Sequence, residues 1–517
     1  MSVAEVETEQ PQIETTPSGR RGFPLHGVGI RALVIGLVTS AVTIWGSWIP
    51  SVWGDEATSI LSSQRSLPSL FRMLGHVDAV HGTYYLFLHF WVDVFGPSAF
   101  SVRVPSAIAV GVAAAGVVVL ADRLAGARVG IYVGIVFAVL PRTTYMGEEA
   151  RGYAMSAACA VWITVLLVRL LTRDSVRRRE WVLYALGIAA CGYIFLFTLL
   201  IVVVHAILVY VYRRDLVRRW WAWIGVATAI TLPVLVYGIA EQSQVAFLTA
   251  RTAATFNSVA IGQWFYNPVF ATIAWTACAG AIALGIVRWR RRRTQWNEPP
   301  TDASARRTPS LVLVAALWLI LPMTILLGIN WVHAIYSSRY LSFAAPAAPL
   351  LIGWLIAQAR RMWVAVLALA VVVVTVAPSY FSQRTVYAKN NADFSVDAAY
   401  IGAHAKPGQG ILFDESARPS QRPRLALRAY PSDFVGLKDI ALKSPWYDND
   451  YWEDTTYPLQ DVTSRLDGVD TVWLIEHKNL GSTADTWDID ILKQNGYSIV
   501  KTVPEHTSEI LELTRSS

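Results

Sequence analysis

Charge is scarce in this sequence. Only 16% of its 517 residues are Asp, Glu, Lys or Arg, against about 25% in a soluble protein of ordinary composition. There are three cysteines, Cys159, Cys191 and Cys278, and all fall inside apolar stretches. That placement argues against a disulfide framework and against a zinc cluster. No glycine-rich phosphate loop is present, so no nucleotide is assigned. What the chain does have is 54% hydrophobic residues and a mean hydropathy of +0.40. The apolar residues gather in runs of roughly 20, the length that crosses a bilayer core of about 30 Å. The net charge of +7 does not call for a nucleic acid, because the arginines cluster in short connections between apolar runs, where topology explains them.

Those basic connections order the chain across the membrane. They are Arg123–Arg128, RDSVRRR (173–179), RRDLVRRW (213–220), RWRRRR (288–293) with Arg306 and Arg307, and Arg360–Arg361. With all of them in the cytoplasm, spans are expected near 31–50, 100–121, 129–146, 152–171, 181–197, 198–212, 220–240, 262–287, 309–329, 341–358 and 362–380, about eleven in all. Residues 1–30 are polar, acidic first and then basic at Arg20 and Arg21, and read as a cytoplasmic tail. The first apolar run is too long for a signal-peptide core and reads as a retained anchor. Segment 76–91 is aromatic and half apolar, and counting it as a span would flip every later loop. It reads instead as an interfacial helix in a structured first outer loop, 51–99, with His81, Tyr85 and His89 on one face. From residue 381 to 517 the pattern changes to short helices and strands: VDAAYIGAHA and LQDVTSRLDGVD as helices, ILFDES and TVWLIEH as strands. This predicts a small extracytoplasmic α/β domain.

Three polar spots fall at outer membrane boundaries. SVWGDEATSI (51–60) places Asp55 and Glu56 just beyond the first span, where a carboxylate is either functional or a helix cap. PRTTYMGEEARGYAM (141–155) brings Glu148, Glu149 and Arg151, read either as a local Glu148–Arg151 ion pair or as groups facing Asp55 across a cavity. WVHAIYSSRYLSFAAPAAPLL (331–351) carries Arg339 and Tyr340, with His333 nearby: an interfacial anchor or a phosphate ligand with paired N–H donors. Arg103, at the start of the second span, has the same two readings.

GDEATSI, HVDAVHGTYY, RVPSAIAV, EEARGYAM and SRYLSFAAPAAP occur in that order over residues 31–380. In these motifs the chain resembles the polytopic glycosyltransferases of the GT-C fold that use polyprenyl-phosphate sugars. It is most similar to the family 39 and aminoarabinose-transferase-like branch; HVDAVHGTYY is most similar to actinobacterial mannosyltransferase-like proteins. The resemblance implies an inverting transfer of a sugar, mannose in the nearest members, from a polyprenyl-phosphate donor to an acceptor hydroxyl. It implies Asp55 as general base with Glu56 beside it, and Glu148 or Glu149 as a second acidic site, which in some members helps hold a divalent metal (Mg or Mn). Arg339, Arg151, His81 and Tyr340 are the donor-phosphate candidates it implies. One departure stands out. The aminoarabinose transferases have an arginine three residues after the first acid, where this chain has Thr58.

A single displacement needs one base for the acceptor proton and positive charge for the departing phosphate. The expected partners are the lipid-linked donor, membrane lipids, and an acceptor glycolipid, polysaccharide or secreted protein. Two other classes compete. A transporter or flippase of lipid-linked sugars predicts ionisable groups near the bilayer midplane and repeated halves. A membrane scaffold predicts tolerance at Asp55, Glu149 and Arg339 together.

Overall fold

The computed structural model describes residues 25–241, 254–295, 308–478 and 487–516. Residues 1–24 of the expected tail, with Arg20 and Arg21, and the pair Arg306 and Arg307 lie outside the described residues. The membrane part is helical: α1 Leu25–Ile44, α2 Gly54–Ser63, α3 Leu67–Leu74, α4 Gly82–Phe95, α5 Ala99–Ala125, α6 Ala127–Val139, α7 Pro141–Gly147, α8 Tyr153–Thr172, α9 Arg178–Ile194, α10 Ile201–Tyr212, α11 Val217–Ala240 and α12 Pro268–Gln295. The helices Leu311–Val332, Ala347–Ile356 and Met362–Ser382 complete it.

Among the described residues, seven helices are long and apolar enough to cross a membrane. The count is eight when α6 and α7, bent by 60° at Leu140, make one span. Three of the expected eleven fall short of that length. The segments at 181–197, 198–212 and 341–358 form the 17-residue α9 and two apolar helical stretches no longer than it, Leu196–Tyr212 and Ser342–Ile356. Apolar composition at those positions reports burial among other helices as readily as crossing. The 14-residue α4 is short of a span, and a 3₁₀ turn, Ala79–His81, leads into it. Tyr85 is buried, while Phe87 and Phe90 are exposed.

Helix packing follows the rules of a lipid solvent. Leu33, Leu37 and Val38 of α1 face outward, whereas Thr39 and Thr43 are buried. Gly36 and Gly111 let α1 and α5 touch: a Cβ on Gly36 would meet the Gly111 oxygen at 2.8 Å, and one on Gly111 would meet the Gly36 oxygen at 2.6 Å. With little hydrophobic drive between helices in lipid, such close van der Waals contact supplies the association.

The carboxy-terminal region is a small α/β unit. Its sheet, in the order β2-β1-β5-β7-β6, combines β1 Gly410–Phe413, β2 Lys438–Asp439, β5 Thr471–His477, β6 Tyr497–Pro504 and β7 Ser508–Arg515, while β3 Leu442–Ser444 and β4 Thr455–Thr456 pair separately. β1 pairs in parallel with β2 and β5, whereas β7 runs antiparallel to β5 and β6. VDAAYIGAHA forms part of the helix Phe394–His404. LQDVTSRLDGVD, expected as a helix, is instead two 3₁₀ turns, Leu459–Asp461 and Thr463–Leu466. Thr463 and Ser464 offer weak helix propensity, and Gly468 with φ +72° closes the stretch.

The unit sits directly on the start of α2. Val52 N–H donates to the Tyr430 hydroxyl at 2.9 Å, and Ser395 N–H donates to Ser51 Oγ at 3.0 Å. Gly54 makes this contact attainable, because a Cβ there would lie 2.1 Å from the Ser420 carbonyl oxygen.

Candidate active site

α2 opens at Gly54 with Trp53 as its extended N-cap residue, which gives no side-chain cap. Asp55 is therefore not the cap; it lies with Glu56 in the first turn, where the positive helix end favours both acids. Successive helical residues point about 100° apart. The two carboxylates accordingly meet different neighbours.

Glu56 is sealed, with no exposed side-chain surface. Arg103 grips it with both prongs, Nε to Oε1 at 2.8 Å and Nη2 to Oε2 at 2.5 Å. Ala150 N–H donates to Oε1 at 3.0 Å. The rest of the Arg103 guanidinium donates to the carbonyls of Ser47, Pro50 and Ser51. This is a joint between the end of α1, α2, α5 and the α7–α8 turn.

Asp55 keeps about a quarter of its side chain exposed. Arg339 Nη1 donates to its Oδ2 at 2.8 Å, and Arg151 Nη2 stands 3.9 Å away. Arg339 Nη1 is also 3.6 Å from Glu149 Oε1, and its guanidinium lies over the Trp53 ring at 4.6 Å. Glu149 is buried, and neither of its oxygens has a hydrogen-bond partner among the described residues. Burial raises its carboxyl above the usual range against the pull of Lys389 and Arg339.

Arg151 is held from behind. Its Nη1 donates to the Tyr85 hydroxyl at 2.9 Å and to Ser59 Oγ at 3.4 Å, and Tyr85 donates onward to Asp78 Oδ2 at 2.9 Å. Its Nη2 is 3.3 Å from His81 Nε2. Burial first, then the two arginines, hold the His81 imidazole well below its ordinary value, so the neutral ring accepts from Arg151. Tyr340 stacks on Phe197 at 4.6 Å and meets Phe195 edge-on at 5.8 Å, forming an aromatic wall.

Glu148 turns away from Asp55. It has no local pair with Arg151; Arg384 and Lys389 approach it at 3.5 and 3.6 Å, from the chain just after the helix Met362–Ser382. Those two partners were not legible in the sequence, where isolated basic residues after a span look like interface anchors. Trp53 and Asp78 were equally silent, and Tyr85 was read only as sharing a helix face with His81 and His89. His333 is exposed, and His89 bonds the Ser63 carbonyl instead. Thr58, at the position of the family arginine, donates back to the Gly54 carbonyl at 3.0 Å. The guanidiniums that face Asp55 come from positions 151 and 339.

No group of three His, Cys, Asp or Glu converges among the described residues. The cation between Asp55 and Glu149 is the Arg339 guanidinium.

The site stands at one end of the long helices. α5 carries Arg103 near its start and Arg123 near its end, and α8 begins beside Arg151 and ends at Thr172, next to the basic 173–179 connection. At 1.5 Å per residue those helices are about 40 and 30 Å long. Asp55 thus lies at the end of α5 and α8 opposite to the basic connections 123–128 and 173–179.

The dolichyl-phosphate-mannose-protein mannosyltransferase family matches residues 83–239, less than a third of the chain. No curated protein sequence matches. Among solved structures, ArnT from Cupriavidus metallidurans bound to undecaprenyl phosphate superposes with a TM-score of 0.52 at 12% identity, covering 94% of this chain and 98% of that one. ArnT in the apo state gives 0.53 at 11% identity, with 93% and 97% covered. The arabinofuranosyltransferase AftD from Mycobacteria is 15% identical at a TM-score of 0.45, covering 95% of this chain and 40% of that one. The ArnT likeness spans nearly the whole of both chains and establishes the architecture: this is a multi-span membrane protein of the GT-C fold with a small carboxy-terminal sheet domain.

Proposed function

We propose that the protein is a membrane glycosyltransferase that moves a sugar, mannose, from a polyprenyl-phosphate carrier to an acceptor hydroxyl at the non-cytoplasmic face. The observation that carries this reading is Asp55, a partly exposed carboxylate flanked by two guanidiniums at the membrane end opposite the basic connections. The matched family is named for a dolichyl-phosphate-mannose donor, and ArnT was solved with undecaprenyl phosphate. Both carriers are polyprenyl phosphates, which lends support to a donor of that class.

The geometry suits a single displacement. The acceptor oxygen attacks the anomeric carbon as the bond from that carbon to the phosphate oxygen breaks, inverting the centre. Asp55 takes the acceptor proton, and the bond's electron pair leaves on the lipid phosphate. Arg339 and Arg151 offer paired N–H donors to that phosphate. Arg339 has two claims on it: a phosphate at its guanidinium competes with Asp55, so donor binding frees the carboxylate for its proton. Glu149, buried beneath, keeps Arg339 in place through the exchange. By the positive-inside rule the carboxy-terminal unit, which rests on α2, faces the same non-cytoplasmic side.

The test is incubation of purified protein with mannosyl and other polyprenyl-phosphate sugars, following transfer or donor consumption. Turnover with a lipid-linked donor is expected, and Asp55→Asn abolishes it. Near-normal turnover by that variant would remove Asp55 from the base role.

A further inference from the structure

A narrow crevice lies where the carboxy-terminal unit meets the start of α2. Its volume is about 390 Å³ with the mouth included, and Trp53, Asn390, Asp393, Asp397, His477 and Ser508 are among its walls. Asp393 stands at the N-cap of the helix Phe394–His404 yet gives that helix no cap bond. Its Oδ2 reaches across to the turn before β7, accepting from the backbone N–H and the hydroxyl of both Thr507 and Ser508. Its Oδ1 has no partner among the described residues, although Asp393 is only 2% exposed.

The adjoining Asp397 is buried likewise, at 1% exposure. Ser508 Oγ lies 2.6 Å from its Oδ1 and 3.0 Å from Asp393 Oδ2. One hydroxyl proton cannot serve two carboxylates, so the trio retains an extra proton. Burial raises Asp397 well above its ordinary value, making it the protonated member. It donates to Ser508, which donates to Asp393, and Asp397 Oδ2 is left as an acceptor with no partner among the described residues. Two deeply buried oxygens without donors among the described residues thus belong to side chains that line one crevice. Each costs about 1–3 kcal/mol of desolvation unless a donor meets it. Trp53, another lining residue, holds a buried Nε1 donor without a hydrogen-bond partner among the described residues.

We infer that this crevice binds the hydroxyl-bearing edge of a sugar residue of the acceptor, so that the acceptor is a glycan. Neutral O–H groups suit the two orphaned acceptors, whereas an acidic or phosphorylated ligand would meet a carboxylate. The crevice also adjoins the candidate active site through one residue. Trp53 is the shared wall, lining the crevice and lying under Arg339, and Asp55 is two residues further on. A glycan held by one unit here presents its neighbouring unit toward Asp55. The inference rests on the transferase reading for its role, but the binding event does not.

The test uses the full-length protein in nanodiscs, without donor, and saturation-transfer NMR with mannotriose, maltotriose and arabinotriose. At least one triose binds. Gln421→Trp, which crowds the mouth, and Asp397→Leu, which deletes the acceptor, each weaken binding by roughly 10-fold. Asp397→Asn reproduces the protonated acid and retains binding. Should Asp397→Leu misfold, Gln421→Trp carries the result, since it leaves the buried trio intact. The inference fails if no triose binds, if Gln421→Trp binds as the parent does, or if a Ser/Thr peptide binds in place of every triose. Triose binding without any turnover of a polyprenyl-phosphate sugar would sink the transferase reading and leave the crevice standing as a glycan site.

Discussion

Asp55 and Glu56 are consecutive residues of one helical turn, and the protein treats them in opposite ways. Glu56 is fully enclosed, held by both prongs of Arg103 and by a backbone N–H. Asp55 is partly open, held at one oxygen by an arginine that also lies near Glu149. A carboxylate with its partners saturated has nothing left to offer a substrate. A carboxylate with one oxygen engaged and water at the other can still accept a proton. The same division repeats at Glu148 and Glu149: the first faces Arg384 and Lys389, the second faces Arg339. Each acidic pair contributes one member to the scaffold and one to the site.

The largest expected effect tests the open half of that contrast. Asp55→Asn should lower transfer by about 10²–10⁴-fold, the usual contribution of a positioned base, with thermal stability close to that of the parent. A large stability loss in that variant would erase the contrast. The sealed half comes next. Glu56→Ala leaves Arg103 buried without its counter-charge, and should cost about 3–5 kcal/mol in unfolding experiments in detergent. Combining it with Arg103→Met should recover much of that loss, since replacing both members of a buried pair is far cheaper than orphaning one.

Arg339→Lys sharpens the contrast from the other side. It keeps the charge and loses the planar fork, and should cost about 1.5–3 kcal/mol of donor affinity, read as a raised KM with a smaller change in kcat. The smallest effect is a pH dependence. Burial outweighs Lys389 and Arg384 and pushes Glu148 up to about 7 from 4.5. A raised carboxyl value means the folded state holds the proton more tightly, so this contribution is complete below 4.5 and is lost as pH rises through about 7. Lys389, lowered by burial, acts with the opposite sign at higher pH, and its contribution fades as pH falls from its ordinary value. Melting curves from pH 5 to pH 8 should therefore fall more for the parent than for Glu148→Gln, by a few degrees. Parallel curves would show that Glu148 is charged throughout.

The elements legible in the sequence were those with long or regular signals. α1, α5, α8, α11, α12, Leu311–Val332 and Met362–Ser382 announced themselves as apolar runs, and TVWLIEH announced β5 by its β-branched and aromatic content. The short apolar segments were legible as helices but not as spans, because 15 or so greasy residues look alike whether they cross the bilayer or pack among other helices. LQDVTSRLDGVD misled for a related reason: an apolar spacing of helical period was met by two 3₁₀ turns.

Composition and order along the chain therefore settled that this protein lives in a membrane, where its basic connections lie, and which boundaries carry acids. Those facts depend on transfer free energies that each residue brings with it, whatever its neighbours. The role of each acid was decided only in three dimensions. Whether a carboxylate is neutralised, pinned or left half free depends on which cation the fold delivers within 4 Å, and Arg103, Arg339, Arg384 and Lys389 arrive from 47 to 284 positions away. Sequence spacing records no such distance, and electrostatic energy depends on little else.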